Sequence, residues 1–314
     1  MTAHFAEAYA PATVANLGVG FDILGLALRE PGDTIRAEWS SVPGITIAAI
    51  HGDAGKLPLD PLKNTACVAA ASVLKLVDAA EHGIALTIHK GLPAASGLGS
   101  SAASAVAGAV AVNALLGEPL SRAALLPACL DGEAVASGYH PDNVAPCLFG
   151  GITLAVGLTS DRVFALPVPP ALHLALVTPH VEVPTALARA ALPQTVSLQQ
   201  MVAQTASAAE LMQTLYTGDI ERMAAAMERD SVIEPARQHL MPHLLEVRAA
   251  AKRAGACGMV ISGAGPTLMA VCGDADTAGR ARDAMRDVYD QRGIGASAQS
   301  TTVAHDGAKV TRRA

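Results

Sequence analysis

The chain has 314 residues, of which 51% are hydrophobic and 16% charged, so it can bury a sizeable core and is excluded from the disordered class. Its 22 Lys and Arg against 28 Asp and Glu leave a formal net charge of −6 with no basic run, which disfavours a nucleic-acid groove. The five cysteines, Cys67, Cys129, Cys147, Cys257 and Cys272, are odd in number, widely spaced and never in C-x-x-C, which argues against a disulfide framework or zinc cage and fits a reducing cytoplasm.

Residues 1–15 contain no Lys or Arg and no compact apolar stretch before a cleavage site, so the chain is expected to remain in the cytoplasm rather than be exported. Short β-like runs follow at residues 3–10, 34–38, 44–50 and 84–89. Between and after them, residues 64–78 and 101–116 carry helical spacing, and Ser121 caps a further helix to residue 136. Residues 138–146, rich in Gly, His, Pro and Asn, read as a loop. No charge occurs across residues 91–117, yet Ser96, Ser100, Ser101, Ser104 and Asn113 among alanines, with Pro93, Gly97 and Gly99, are wrong for lipid; a loop and a buried helix are expected, and no membrane partner.

Strand-like runs return at residues 151–156, 163–166 and 172–178, punctuated by Pro167, Pro169 and Pro170. The prolines divide the chain into expected domains at residues 1–167 and 168–314. Helical patterns at residues 185–192, 197–216, 219–227 and 241–255 precede a closing β-turn-β, helix, β unit at 259–262, 267–272, 276–290 and 295–303. Strands and helices therefore mix in an α+β pattern, without internal repeats.

Three glycine-bearing segments could carry chemistry. The first, Pro93-Ala94-Ala95-Ser96-Gly97-Leu98-Gly99-Ser100-Ser101-Ala102-Ala103, lies after a strand and opens a helix, where successive N–H groups and the helix N-terminus favour an anion. It is neither a Walker A loop nor a G-x-G-x-x-G turn, and both a phosphate cradle and a plain turn capped by Ser100 fit it. The second, Ser262-Gly263-Ala264-Gly265-Pro266-Thr267, fits a hairpin turn or a backbone approach to a ligand. In the third, residues 11–22, Asn16 and Asp22 flank a glycine turn before an apolar run.

In this order and spacing the three segments resemble the signature of the small-molecule kinase family of galactokinase, homoserine kinase, mevalonate kinase and phosphomevalonate kinase, the GHMP kinases. Residues 11–22, His140-Pro-Asp-Asn-Val-Ala-Pro146, Glu234-Pro-x-Arg237 with Leu240-Met-Pro242, and the tail at residues 306–310 are similar to the homoserine kinase branch, so the resemblance covers nearly the whole chain. It implies a two-domain α+β fold, with an N-terminal domain like that of ribosomal protein S5 and a ferredoxin-like C-terminal domain. It also implies transfer of the γ-phosphoryl of ATP to the hydroxyl of L-homoserine, with Mg²⁺ on Ser100 or Ser101 and Glu133.

By the same resemblance, Asn16, Asp22 and Asn143 hold homoserine, with Asp22 suited to its ammonium and His140 nearby, while Arg189 and Arg237 suit its carboxylate. Glu133, Asn143 and Asp22 are the expected catalytic set; Asn64 and Lys90 match positions near the nucleotide, and Gly263 and Gly265 join residues 93–103 as cofactor contacts. No general base is assigned, although Asp142 lies beside Asn143. Relatives form dimers, so a homodimer is a further expectation. Competing readings are a family kinase for another alcohol, such as mevalonate, which lacks the ammonium, and a catalytically silent metabolite sensor, against which the intact Glu133 and serine pair argue.

Overall fold

The computed structural model describes residues 3–314; Met1 and Thr2, the start of the segment read as lacking an export signal, lie outside it. The chain runs β1 (Phe5–Ala15), β2 (Leu24–Ser40), β3 (Gly44–His51), α1 (Thr65–Leu76), β4 (Gly83–His89), α2 (Ser100–Leu115), α3 (Leu126–Ala134), α4 (Pro141–Phe149), β5 (Ile152–Ala155) and β6 (Val163–Leu166). It continues through β7 (His173–Pro179), α5 (Thr185–Ala190), α6 (Leu198–Thr217), α7 (Ile220–Met227), α8 (Ile233–Arg237), α9 (Leu244–Arg253), β8 (Gly258–Ile261), β9 (Leu268–Cys272), α10 (Ala275–Gln291), β10 (Ala296–Thr301) and β11 (Lys309–Arg313).

Two sheets result. A seven-stranded sheet runs β11-β1-β2-β4-β3, with β5 and β6 branching from β2, and a four-stranded sheet runs β10-β7-β9-β8. The first sheet is covered by α2, whose alanine-rich surface is buried almost all round, as expected of a helix apolar on every side. Small side chains let it approach its neighbours closely: a Cβ on Gly108 would stand 2.7 Å from the Ala66 carbonyl of α1. In the second sheet β7 is buried on both faces. Leu174 and Leu176 join the first core with α6 and α7, whereas Ala175 and Val177 face a separate core with α9 and α10, the alternation a strand imposes.

The structure departs from expectation at three places. Residues 138–146 are not all loop: Pro141 opens α4 at a first-turn position it suits, and burial of Val144, Ala145, Cys147 and Leu148 outweighs the poor helical propensity of this stretch. The short α8, which carries Arg237, had no periodic signal. Finally, β11 pairs antiparallel with β1, so the last strand joins the first sheet rather than the unit expected over residues 168–314. The cysteines are unpaired thiols, and among the described residues no helix is long and apolar enough to cross a membrane.

β1 pairs with β2 in two stretches, Phe5–Pro11 against Gly32–Glu38 and Thr13–Ala15 against Gly25–Ala27, with a register shift between them. That irregularity brings the end of β1 under the loop preceding α2.

Candidate active site

A cleft of about 290 Å³ opens between the two sheets' ends, and its lining includes Asn16, Asp22, Gly97, Gly99, Ser100, Ser101, Glu133, His140, Asn143, Arg189, Arg237 and Gly263. Residues spread over most of the chain thus meet in one site.

On one side lies the loop between β4 and α2. Gly99 is the N-cap of α2 with φ +64°, and by helix geometry the first-turn N–H groups that follow it lack intrahelical acceptors. The glycines are required by protein neighbours. A Cβ on Gly99 would lie 2.0 Å from Thr13 Oγ1 and 2.8 Å from Asn143 Oδ1, and one on Gly97 would lie 2.5 Å from the Ser262 carbonyl.

Beneath this loop a buried network closes. Asp33 Oδ1 accepts from the N–H groups of Gly91 at 3.0 Å and Leu92 at 3.2 Å, and its Oδ2 accepts from Ser104 Oγ at 2.8 Å and from Lys90. Lys90 also donates to the Ser100 carbonyl at 3.0 Å and to Ser104 Oγ at 2.8 Å. The Lys90 ammonium, expected near the nucleotide, is therefore consumed as a strut under the loop; burial lowers its pKa, opposed by Asp33. Asn64 is likewise committed, capping α1 at Ala66 N (3.1 Å) and donating to the Pro58 carbonyl (3.3 Å) while lining the cleft. Leu98, Ala102 and Ala103 turn their side chains into the core, and Pro93 lines an adjoining cavity that shares Lys90, Ala94 and Ser96 with the cleft.

Ser100 Oγ donates to the Leu92 carbonyl, whereas Ser101 Oγ donates to Glu133 Oε1 at 3.0 Å, which distinguishes the two serines. Ser137, one turn beyond Glu133, donates to the same oxygen. Glu133 is 2% exposed, its Oε2 has no partner, and burial pushes its pKa up to about 7. An unpaired carboxylate oxygen and a hydroxyl beside an anion cradle fit a hard divalent cation such as Mg²⁺.

The opposite wall is charged. Asn16 and Asp22 hold left-handed backbone, φ +73° and +58°, a conformation Asn and Asp tolerate better than most residues. Asn16 Oδ1 accepts from Asp22 N at 3.1 Å and its Nδ2 donates to the Gly263 carbonyl at 3.0 Å. Arg189 forks onto the Asp22 carboxylate at 3.1 and 2.8 Å and reaches His140 Nδ1 at 3.3 Å. Arg237 is nearly fully buried; it donates to the carbonyls of Ala188 (3.1 Å) and Gly263 (3.0 Å), so it braces the site as well as lining it. Phe21 lies under both guanidinium groups, 5.6 Å from that of Arg189 and 5.3 Å from that of Arg237.

Asp142, 3% exposed, has an unpartnered Oδ1, and burial followed by the charges of Asp22 and Glu133 pushes its pKa up to about 7. Burial and then the Arg189 cation lower that of His140. Ligand atoms of Asp22, His140 and Asp142 lie within 4.8 Å of one another, but the Arg189 guanidinium already covers Asp22, so this cluster suits an ammonium group better than a metal ion.

The loop between β8 and β9 props the glycine loop that precedes α2. Ser262 Oγ donates to the Gly97 carbonyl and Thr267 Oγ1 to the Ser96 carbonyl, each at 2.6 Å. Gly263 offers its carbonyl to Asn16 and Arg237, and a Cβ on Gly265 would collide with Met241. Thr13, Asp33, Ser137, Ser262 and Thr267 were not among the expected site residues, although Thr13, Ser262 and Thr267 lie within the glycine-bearing segments that the sequence singled out; Asp33 carried no local signal.

Residues 64–151 match the family model for the GHMP kinases N terminal domain, and residues 209–291 that for the GHMP kinases C terminal. The chain is 41% identical to a homoserine kinase of Xylella fastidiosa (strain M12) over 310 residues, 98% of this chain and 95% of that protein. It is 39% identical to a homoserine kinase of Chlorobium phaeobacteroides (strain BS1), covering 90% of this chain and 91% of that protein. The crystal structure of homoserine kinase from Cytophaga hutchinsonii superimposes with a TM-score of 0.94 at 40% identity, over 99% of this chain and 98% of that one.

Proposed function

The chain belongs to the GHMP kinase family, and from that premise we infer that it phosphorylates the side-chain hydroxyl of L-homoserine with ATP, yielding O-phospho-L-homoserine and ADP for threonine biosynthesis. The observation that carries the choice of acceptor is the opposed pair of Asp22 and Arg189, with Arg237 behind it, a few residues' reach from the phosphate loop in one cleft. An amino acid brings both charges needed to replace that pair: its ammonium meets Asp22 and its carboxylate meets the arginines. Mevalonate has no ammonium and would leave Asp22 without a new partner.

Phosphoryl transfer needs positioning and charge neutralisation more than covalent help. Residues 97–101 cradle the phosphates on backbone N–H groups, and Glu133 Oε2 with the Ser101 hydroxyl would hold Mg²⁺. When bound, Mg²⁺ neutralises phosphate charge. The homoserine hydroxyl oxygen forms a bond to the γ-phosphorus, the bond from that phosphorus to the β-γ bridging oxygen breaks, and its electron pair leaves with ADP. The hydroxyl proton passes to Asp142, whose Oδ1 is unpaired and whose pKa, raised to about 7, suits a group that must take up a proton near neutrality. A cytoplasmic location and a homodimer accompany this reading.

A coupled ADP-release assay with homoserine, mevalonate and no acceptor, repeated across a Mg²⁺ titration, tests it. Turnover should require homoserine and Mg²⁺; turnover of mevalonate alone would replace the acceptor, and none with any small alcohol would favour a silent sensor.

A further inference from the structure

Asn143 stands on the first turn of α4 where the cleft meets the phosphate loop, and its carboxamide has two chemically opposite ends. The oxygen accepts a hydrogen bond; the nitrogen donates two. Which end meets a substrate is set by the protein behind it.

That group is Thr13. It is wholly buried at the register shift of β1, and its Oγ1 donates to Asn143 Oδ1 at 2.7 Å. Its own N–H donates to the Leu98 carbonyl at 3.0 Å, and both Thr13 Oγ1 and Asn143 Oδ1 crowd the position where Gly99 would carry a Cβ. One residue, through its backbone N–H and its hydroxyl, thus ties the glycine loop to Asn143. With Oδ1 taken, the donor end of Asn143 is left for the cleft.

We propose that Thr13 is a positioning residue that holds the Asn143 amide nitrogen toward the substrate hydroxyl. The proposal rests on the reading of Asn143 as a homoserine contact. Donation from Asn143 to the hydroxyl oxygen occupies one lone pair and aims another at the γ-phosphorus, while the hydroxyl proton remains available to a separate acceptor. The reversed amide would bind that proton itself and compete with its transfer.

The test compares Thr13→Val, which keeps the shape and removes the O–H, with Thr13→Ser, which keeps the O–H, and with Asn143→Ala and the double variant Thr13→Val/Asn143→Ala. Loss of this bond should lower kcat/KM for homoserine roughly 10- to 100-fold in Thr13→Val, while calorimetric affinity for Mg-ATP shifts less than about threefold. Thr13→Ser should stay within roughly threefold of the parent, and the double variant should be no slower than Asn143→Ala alone, since Thr13 acts through that side chain. In ¹⁵N-resolved spectra the Asn143 side-chain amide should shift in Thr13→Val and not in Thr13→Ser.

Parent kinetics in Thr13→Val while Asn143→Ala is impaired would overturn the proposal alone. Equal impairment of Thr13→Ser and Thr13→Val, or additive losses in the double variant, would do the same by assigning the effect to packing. Parent kinetics in Asn143→Ala would instead overturn the underlying substrate contact. Should Thr13→Val fail to fold, Thr13→Ala removes the same hydroxyl without a methyl facing the amide oxygen, and carries the same expected outcomes.

Discussion

Under the phosphate loop, Asp33 and Lys90 have side chains 0% and 3% exposed, and every charged atom of the pair has further partners in the loop, in α2 or in each other. Across the cleft, Asp22 and Arg189 are 31% and 33% exposed and rely chiefly on one another, with Arg189 Nε left unpaired. Both are aspartate pairs with a basic residue. The first is satisfied from all sides and has no valence left for a ligand, so it holds the shape of the loop; on the proposed function that shape is ready before ATP arrives. On the proposed function, the second would be opened by a zwitterion that supplies a replacement for each half, so the same chemistry there would serve recognition.

The comparison breaks most sharply at its buried end. Asp33→Ala leaves the Lys90 ammonium without its counter-charge, and loss of one partner of a buried pair costs about 3–5 kcal/mol. Urea unfolding of that variant should show a loss of this size, accompanied by weaker Mg-ATP binding; a stability within about 0.5 kcal/mol of the parent would remove the strut from the account.

Asp22→Asn should behave in the opposite way. A pair this exposed contributes at most about 1 kcal/mol to folding, whereas loss of a charge-assisted contact to substrate, about 1.5–3 kcal/mol, should lower kcat/KM for homoserine roughly 10- to 150-fold. Mg-ATP affinity should stay put. Equal losses of stability and activity would place Asp22 with Asp33 as a structural group.

The gentlest probe is pH. Burial raises the Asp142 pKa to about 7, so this carboxyl is protonated below that value and unable to take the hydroxyl proton. The kcat/KM for homoserine should therefore rise about tenfold per pH unit on the acid side and level above about 7, each unit being about 1.4 kcal/mol. In Asp142→Asn, assayed at saturating Mg²⁺ so that Glu133, whose pKa burial also raises to about 7, is held ionised, that acid limb should vanish along with most of the activity; its survival there would assign the titration to another group.

Much of the glycine loop's local form was legible because a strand-to-helix turn is local. Gly97, Gly99 and the serines follow each other within one strand-to-helix turn, and the N–H groups that the proposed function would aim at phosphate belong to that turn. The reason Gly99 must be a glycine was not legible, since Thr13 and Asn143, 86 and 44 residues away, supply the atoms that a Cβ there would meet. The α4 helix was misread as a loop for a related reason: Pro141, Asn143 and Pro146 have weak helical propensity, and what makes them helical is burial of the turns between them.

By itself, then, the amino-acid sequence determined the alternation of strands and helices, the glycine turns, and through the joint spacing of its motifs the family and the charged residues of the cleft. Tertiary structure alone decided that Lys90 is spent on Asp33, that Ser101 rather than Ser100 faces Glu133, that Arg189 closes onto Asp22, and that Asp142 and Glu133 each keep an unpaired oxygen. Hydrogen-bond periodicity and turn chemistry act over a few residues and leave a pattern in the chain. Desolvation and charge pairing depend on what long-range packing brings alongside, and the partners here come from segments as far apart as 167 residues.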